Sequence, residues 1–60
     1  MNVILIDDTG FVVNVICADS VTRAQQFYPT YTCVQRAEGQ NVGPGDITRD
    51  GGQTFETQDS

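Results

Sequence analysis

Apolar residues crowd into the first eighteen positions. Val3-Ile4-Leu5-Ile6 is an unbroken run of Val, Ile and Leu. A strand with one wet face alternates with polar residues, so this run predicts a strand buried on both sides. Asp7-Asp8-Thr9-Gly10 then supplies a turn: Asp suits its first position, and Gly10 can take the left-handed conformation that closes a bulged hairpin loop. Phe11 to Ala18 predicts the returning strand. Strict alternation puts Phe11, Val13, Val15 and Cys17 on one face and Val12, Asn14, Ile16 and Ala18 on the other. The first face is wholly apolar and is expected to point at the core. The second is apolar apart from Asn14. Two readings of that second face stand open. Part of it meets another protein or another copy of the chain, or the chain's own helix and carboxy-terminal segment cover it.

After the hairpin the apolar period changes. Asp19 or Ser20 reads as an N-cap. Val21, Ala24 and Phe27 or Tyr28 then fall three and four apart, an apolar stripe on a helix that stops before Pro29. Arg23, Gln25 and Gln26 are expected to point to solvent. Barely two turns long, the helix cannot stand without packing. Thr30 to Arg36 alternates again and predicts a strand beside the hairpin, with Tyr31, Cys33 and Gln35 on one side and Thr32, Val34 and Arg36 on the other. Ala37 to Gly45 is a loop rich in Gly and Pro. Asp46 to Arg49 predicts a short strand, and Gln53-Thr54-Phe55 returns from the Asp50-Gly51 turn as a second small hairpin. Glu56 to Ser60 reads as a polar, disordered tail.

The fold class is therefore α+β: a small antiparallel sheet built on the amino-terminal β-hairpin, one short helix, and an extended Gly-rich carboxy-terminal arm. Residues 1–36 form a compact hairpin–helix–strand domain and residues 37–60 the arm.

Size sharpens this picture. A chain of 60 residues buries only about 60% of its unfolded surface. Ordering it costs roughly 1.5 kcal/mol per residue, which nearly cancels the gain from burial. Such chains commonly carry a staple. The chain has no His and only Cys17 and Cys33, so a four-ligand zinc site is not expected. The two cysteines are either reduced core residues or bridged to each other. The chain opens Met-Asn-Val without a basic segment, so no signal peptide is expected, and its first apolar run is too short to span a bilayer.

Charge narrows the partners. The net charge is -5, and Arg23, Arg36 and Arg49 are the only basic residues. An acidic surface repels phosphate, so neither nucleic acid nor an acidic membrane is an expected partner.

No stretch carries a catalytic pattern. Asp7 and Asp8 precede Thr-Gly, which is turn chemistry. Asp46, Asp50 and Gly51 lack the spacing and closing Glu of a calcium loop. The glycines do not open a helix after a strand, as a phosphate cradle requires. Neither cysteine has a neighbouring base to activate it. Without His or Lys the chain lacks most proton-transfer tools, and it is not expected to be an enzyme or to bind a cofactor. Tyr28 and Tyr31 flank Pro29 and offer an aromatic contact surface; the alternative packs one of them in the core.

Two segments together are similar to a known pattern. VILIDDTGFVVNVICAD and the closing VGPGDITRDGGQTFE resemble short proteins and terminal modules encoded among bacteriophage tail genes, including tail-fibre and tail-fibre-assembly-like proteins. The pattern positions are Asn14, Gly45, Asp50, Gly51 and Phe55. The chain departs from it at Thr48 and Arg49, where an aromatic residue usually precedes Asp-Gly, and at the extra Gly52. The resemblance implies a virion structural component, assembled in the host cytoplasm and fixed to a larger tail, fibre, baseplate or capsid protein or to copies of itself. Alternatives are a non-virion assembly factor for a tail fibre and a small regulator that binds a host protein. The residues expected at the partner interface are Val12, Asn14, Ile16, Tyr28, Tyr31, Asp50, Gly51 and Phe55. The Gly-rich arm would lie along the partner and order on contact.

Overall fold

A computed structural model describes residues 1–57. β1 (Asn2–Ile6), β2 (Val12–Cys17) and β3 (Thr32–Gln35) form one antiparallel sheet in the order β2-β1-β3. The helix α1 (Val21–Phe27) lies between β2 and β3 in sequence. β4 (Asp46–Ile47) and β5 (Glu56–Thr57) form a separate two-stranded sheet. The fold is thus a small α+β one. Among the described residues no helix is long and apolar enough to cross a membrane.

β1 is central because it is the one strand apolar on both sides. Val3, Ile4, Leu5 and Ile6 are all buried. The turn after it is held by Asp7, whose Oδ1 accepts from the Thr9 and Phe11 amides and the Thr9 hydroxyl at 2.7–2.9 Å. Gly10 sits at φ +91°, a region that disfavours residues with a Cβ.

The returning strand departs from strict alternation. Leu5 pairs with Asn14 but Ile6 pairs with Val12, so Val13 is the extra residue of a β-bulge. The bulge moves Val12 to the face it would otherwise leave. Val12 is fully buried with Ile4 and Ile6, and Val15 packs on the same cluster. Val13, Ile16 and Ala18 pack instead on the opposite cluster of Val3, Leu5, Ala24 and Cys33. Phe11 and Cys17, expected in the core, are exposed.

Both faces of the sheet are covered by the chain itself. On one side α1 lays Ala24 and Val21 over the sheet, with Tyr31 beside them. On the other, Val42 and Phe55 of the arm pack on Ile4, Ile6 and Val12. The surplus apolar face of the hairpin is therefore closed by helix and arm. The return strand of the arm's small hairpin is Glu56–Thr57, after the expected Gln53–Phe55, because Gln53 and Thr54 are spent in the Asp50 turn. The expected disordered tail thus loses Glu56 and Thr57; residues 58–60 lie outside the described residues.

Ser20 is the N-cap of α1, its Oγ accepting from the Arg23 amide at 3.1 Å. Gln25 does not point to solvent as its helix position predicts. Its Nε2 donates to the Tyr28 and Tyr31 carbonyls at 3.0 and 2.7 Å, and its Oε1 accepts from the Cys33 amide at 3.3 Å. The side chain thus ties α1, the turn after it and the outer edge of β3 together. We expect Gln25→Ala to destabilise the fold by about 2 kcal/mol, through lost bonds and an uncapped Cys33 amide. Urea denaturation reads that loss, and faster amide exchange at Cys33 locates it.

Candidate docking groove at the end of β2

The residues expected at one partner interface lie in separate places. Val12 is in the core and faces no partner. Ile16 is half-buried and turned toward α1. The bulge therefore puts Val12 and Ile16 on opposite faces of the sheet. Phe55 is half-buried in the cluster under the arm. Tyr31 is half-buried and stacks on exposed Tyr28, ring centroids 6.2 Å apart. Asn14 is exposed and turns back on its own strand, its Oδ1 accepting from the Val15 amide at 2.9 Å.

Asp50 and Gly51 are exposed on the arm's turn. The Asp50 carboxylate is fully engaged there. Oδ1 accepts from Thr48 Oγ1 and from the Gln53 and Thr54 amides at 2.9–3.0 Å, and Oδ2 accepts from Thr54 Oγ1 at 2.6 Å. Hydrogen bonds from Thr54, side chain first and then backbone, hold the carboxyl well below the usual carboxylate range. Asp7 is lowered in the same direction, chiefly by the Thr9 hydroxyl. Both carboxylates are structural turn caps.

Their linkage to pH has one sign. A carboxyl whose pKa falls on folding stabilises fully above its unfolded value of about 3.9, and loses that contribution as pH drops through the folded value. We therefore expect stability to fall below about pH 4. The fall should be shallower in Asp50→Asn, as read from urea midpoints across an acid series.

One region does collect exposed apolar surface. A groove of about 560 Å³ runs between the end of β2 and α1, lined by Ile16, Cys17, Ala18, Asp19, Arg23, Phe27 and Tyr28. Phe27 is 67% exposed, the most open large apolar side chain of the described residues. The Arg23 guanidinium lies 5.7 Å from its ring centroid, within cation–π distance. Of the expected apolar stripe of α1, Val21 and Ala24 pack on the sheet, while Phe27, the last helical residue, and Tyr28 are exposed. Of the expected interface residues, only Ile16 and Tyr28 line this groove. In the sequence Asp19 reads as a cap, Arg23 as solvated and Phe27 as part of the helix stripe; no local signal marks them as one surface.

Cys17 and Cys33 are both free thiols, one exposed and one buried. Burial pushes the Cys33 thiol up, away from thiolate reactivity. Among the described residues no three Cys, Asp or Glu side chains gather as a metal site would need. Comparison with protein-family models, curated proteins and solved structures finds no match to this chain.

Proposed function

We propose that this chain is a bacteriophage virion structural protein, a small component that docks on a larger tail, fibre, baseplate or capsid protein. The observation that carries the docking part is the groove beside α1, where Phe27 stands in solvent next to half-buried Ile16 and Ala18. Large aromatic side chains beside a pocket are what protein interfaces use as anchors. The virion part rests on the resemblance of residues 3–19 and 42–56 to phage tail modules. The covered second face withdraws one argument for assembly, so the groove must supply the contact.

That coverage also favours a second reading. A small chain with both sheet faces closed has what it needs to act alone, as a regulator bound to a host protein. An assembly factor for a tail fibre is the third. Mass spectrometry of purified particles separates the first from the other two. A virion component is present at fixed stoichiometry, whereas an assembly factor or a host-directed regulator is absent from washed particles. Absence from particles of the phage encoding the chain overturns the structural role.

A further inference from the structure

A three-stranded sheet has two outer edges, and each exposes backbone groups that can recruit another strand. In an antiparallel ladder alternate residues point their N–H and C=O groups away from the neighbour. On β3 the bond from the Arg36 amide to the Asn2 carbonyl fixes the alternation, so Cys33 and Gln35 face outward. Gln25 already caps the Cys33 amide. On β2 the Ala18 amide bonds the Met1 carbonyl at 2.9 Å, so Ile16 also faces β1 while Val15 and Cys17 face outward. The first part of that edge is occupied by the arm, through Gly45 to the Val12 carbonyl and Thr48 to the Gly10 carbonyl at 3.0 and 2.8 Å. Asn14 occupies the Val15 amide. Beyond it, the Val15 carbonyl and the Cys17 amide and carbonyl have no bond to another described residue.

This open half-edge borders the groove that holds Phe27. The groove carries one acidic and one basic side chain, Asp19 and Arg23. The rest of the chain therefore carries the whole net charge of -5. Two copies of this molecule repel each other through most of their surfaces and are electrically matched here.

We infer that the open half of β2 pairs antiparallel with the same half of a second copy, about a two-fold axis at Ile16. The Cys17 amide of each copy donates to the Val15 carbonyl of the other, which needs no movement of Asn14. The two sheets become one of six strands, with both helices on the same side. The grooves of the two copies lie on the same side of the joined sheet, each bordered by its own Phe27 ring. A self-complementary patch of this kind is what a two-fold interface requires. The inference goes beyond the virion role and does not need it, since it concerns the isolated chain; a larger partner taking the same groove displaces the second copy.

The test is sedimentation equilibrium of the full chain under reducing conditions over a wide concentration series. A monomer–dimer equilibrium is expected. Cys17→Pro removes the amide that each copy donates and is expected to raise the dissociation constant at least about tenfold. That amide points away from β1, and an edge strand tolerates proline there; circular dichroism checks that the variant keeps its fold. In the wild type the Cys17 amide should gain protection from hydrogen exchange as the dimer forms. A chain that stays monomeric throughout overturns the inference. So does a dimer indifferent to Cys17→Pro, or one in which the wild-type Cys17 amide exchanges as fast as in the monomer.

Discussion

Val12→Asp is expected to leave the chain largely unfolded at 25 °C. Val12 is fully buried between Ile4 and Ile6, and no basic side chain belongs to that cluster to pair a new carboxylate. An unpaired buried charge costs about 4 kcal/mol or more. The total stability of a chain this size is on the order of 3–9 kcal/mol, so the substitution removes most or all of it. Phe27→Asp is the matched control. It removes a larger apolar side chain from a position 67% exposed, and should keep the circular dichroism spectrum and urea midpoint close to wild type. If Val12→Asp folded normally, the bulge at Val13 would be wrong and Val12 would face solvent.

That contrast marks what the sequence makes legible and what it hides. The strand assignments follow from Val3–Ile6 and Thr32–Val34, whose side chains leave no other pattern to read. The Ser20 cap, the stop before Pro29 and the Asp7–Gly10 turn are local chemistry, and local chemistry is readable from neighbours in sequence. The face assignment of β2 is not. A bulge inserts one residue and reverses the period of two beyond it. Nothing in FVVNVICA marks which residue is extra, because Val12 and Val13 are chemically the same. The reason lies across the ladder, where the turn held by Asp7 fixes Ile6 opposite Val12. Gln25 is illegible for a similar reason. A helical Gln is ordinarily a solvated residue, and its three partners lie in the turn and strand that follow.

The positions on which the proposed resemblance to phage tail modules rests are structural ones. Asn14 caps a strand amide, Gly45 joins the arm to β2, Asp50 holds the arm's turn, and Phe55 fills the second cluster. These residues build the scaffold. The groove beside α1 takes Ile16, Cys17, Ala18 and Asp19 from the first of those segments and Arg23, Phe27 and Tyr28 from outside both.

Gly10→Val carries the second large effect, because Gly10 joins the hairpin to the arm. Its φ of +91° already costs a β-branched residue about 1–3 kcal/mol. A Cβ at this position would also overlap the Thr48 carbonyl oxygen, which is backbone and cannot rotate aside. The Gly10 carbonyl meanwhile accepts the Thr48 amide at 2.8 Å, so relieving the overlap breaks the bond that seats the arm. We expect a total loss of about 3 kcal/mol or more. Gly51→Ala separates the two causes. Gly51 has φ +78° with open space around its missing Cβ, so it pays backbone strain alone, about 1 kcal/mol. If Gly10→Val cost no more than Gly51→Ala, the arm would not be anchored at Thr48. Amide exchange at Gly45 and Thr48 gives the same answer locally. Both should lose protection in Gly10→Val while the β1–β3 amides keep theirs in the fraction that remains folded.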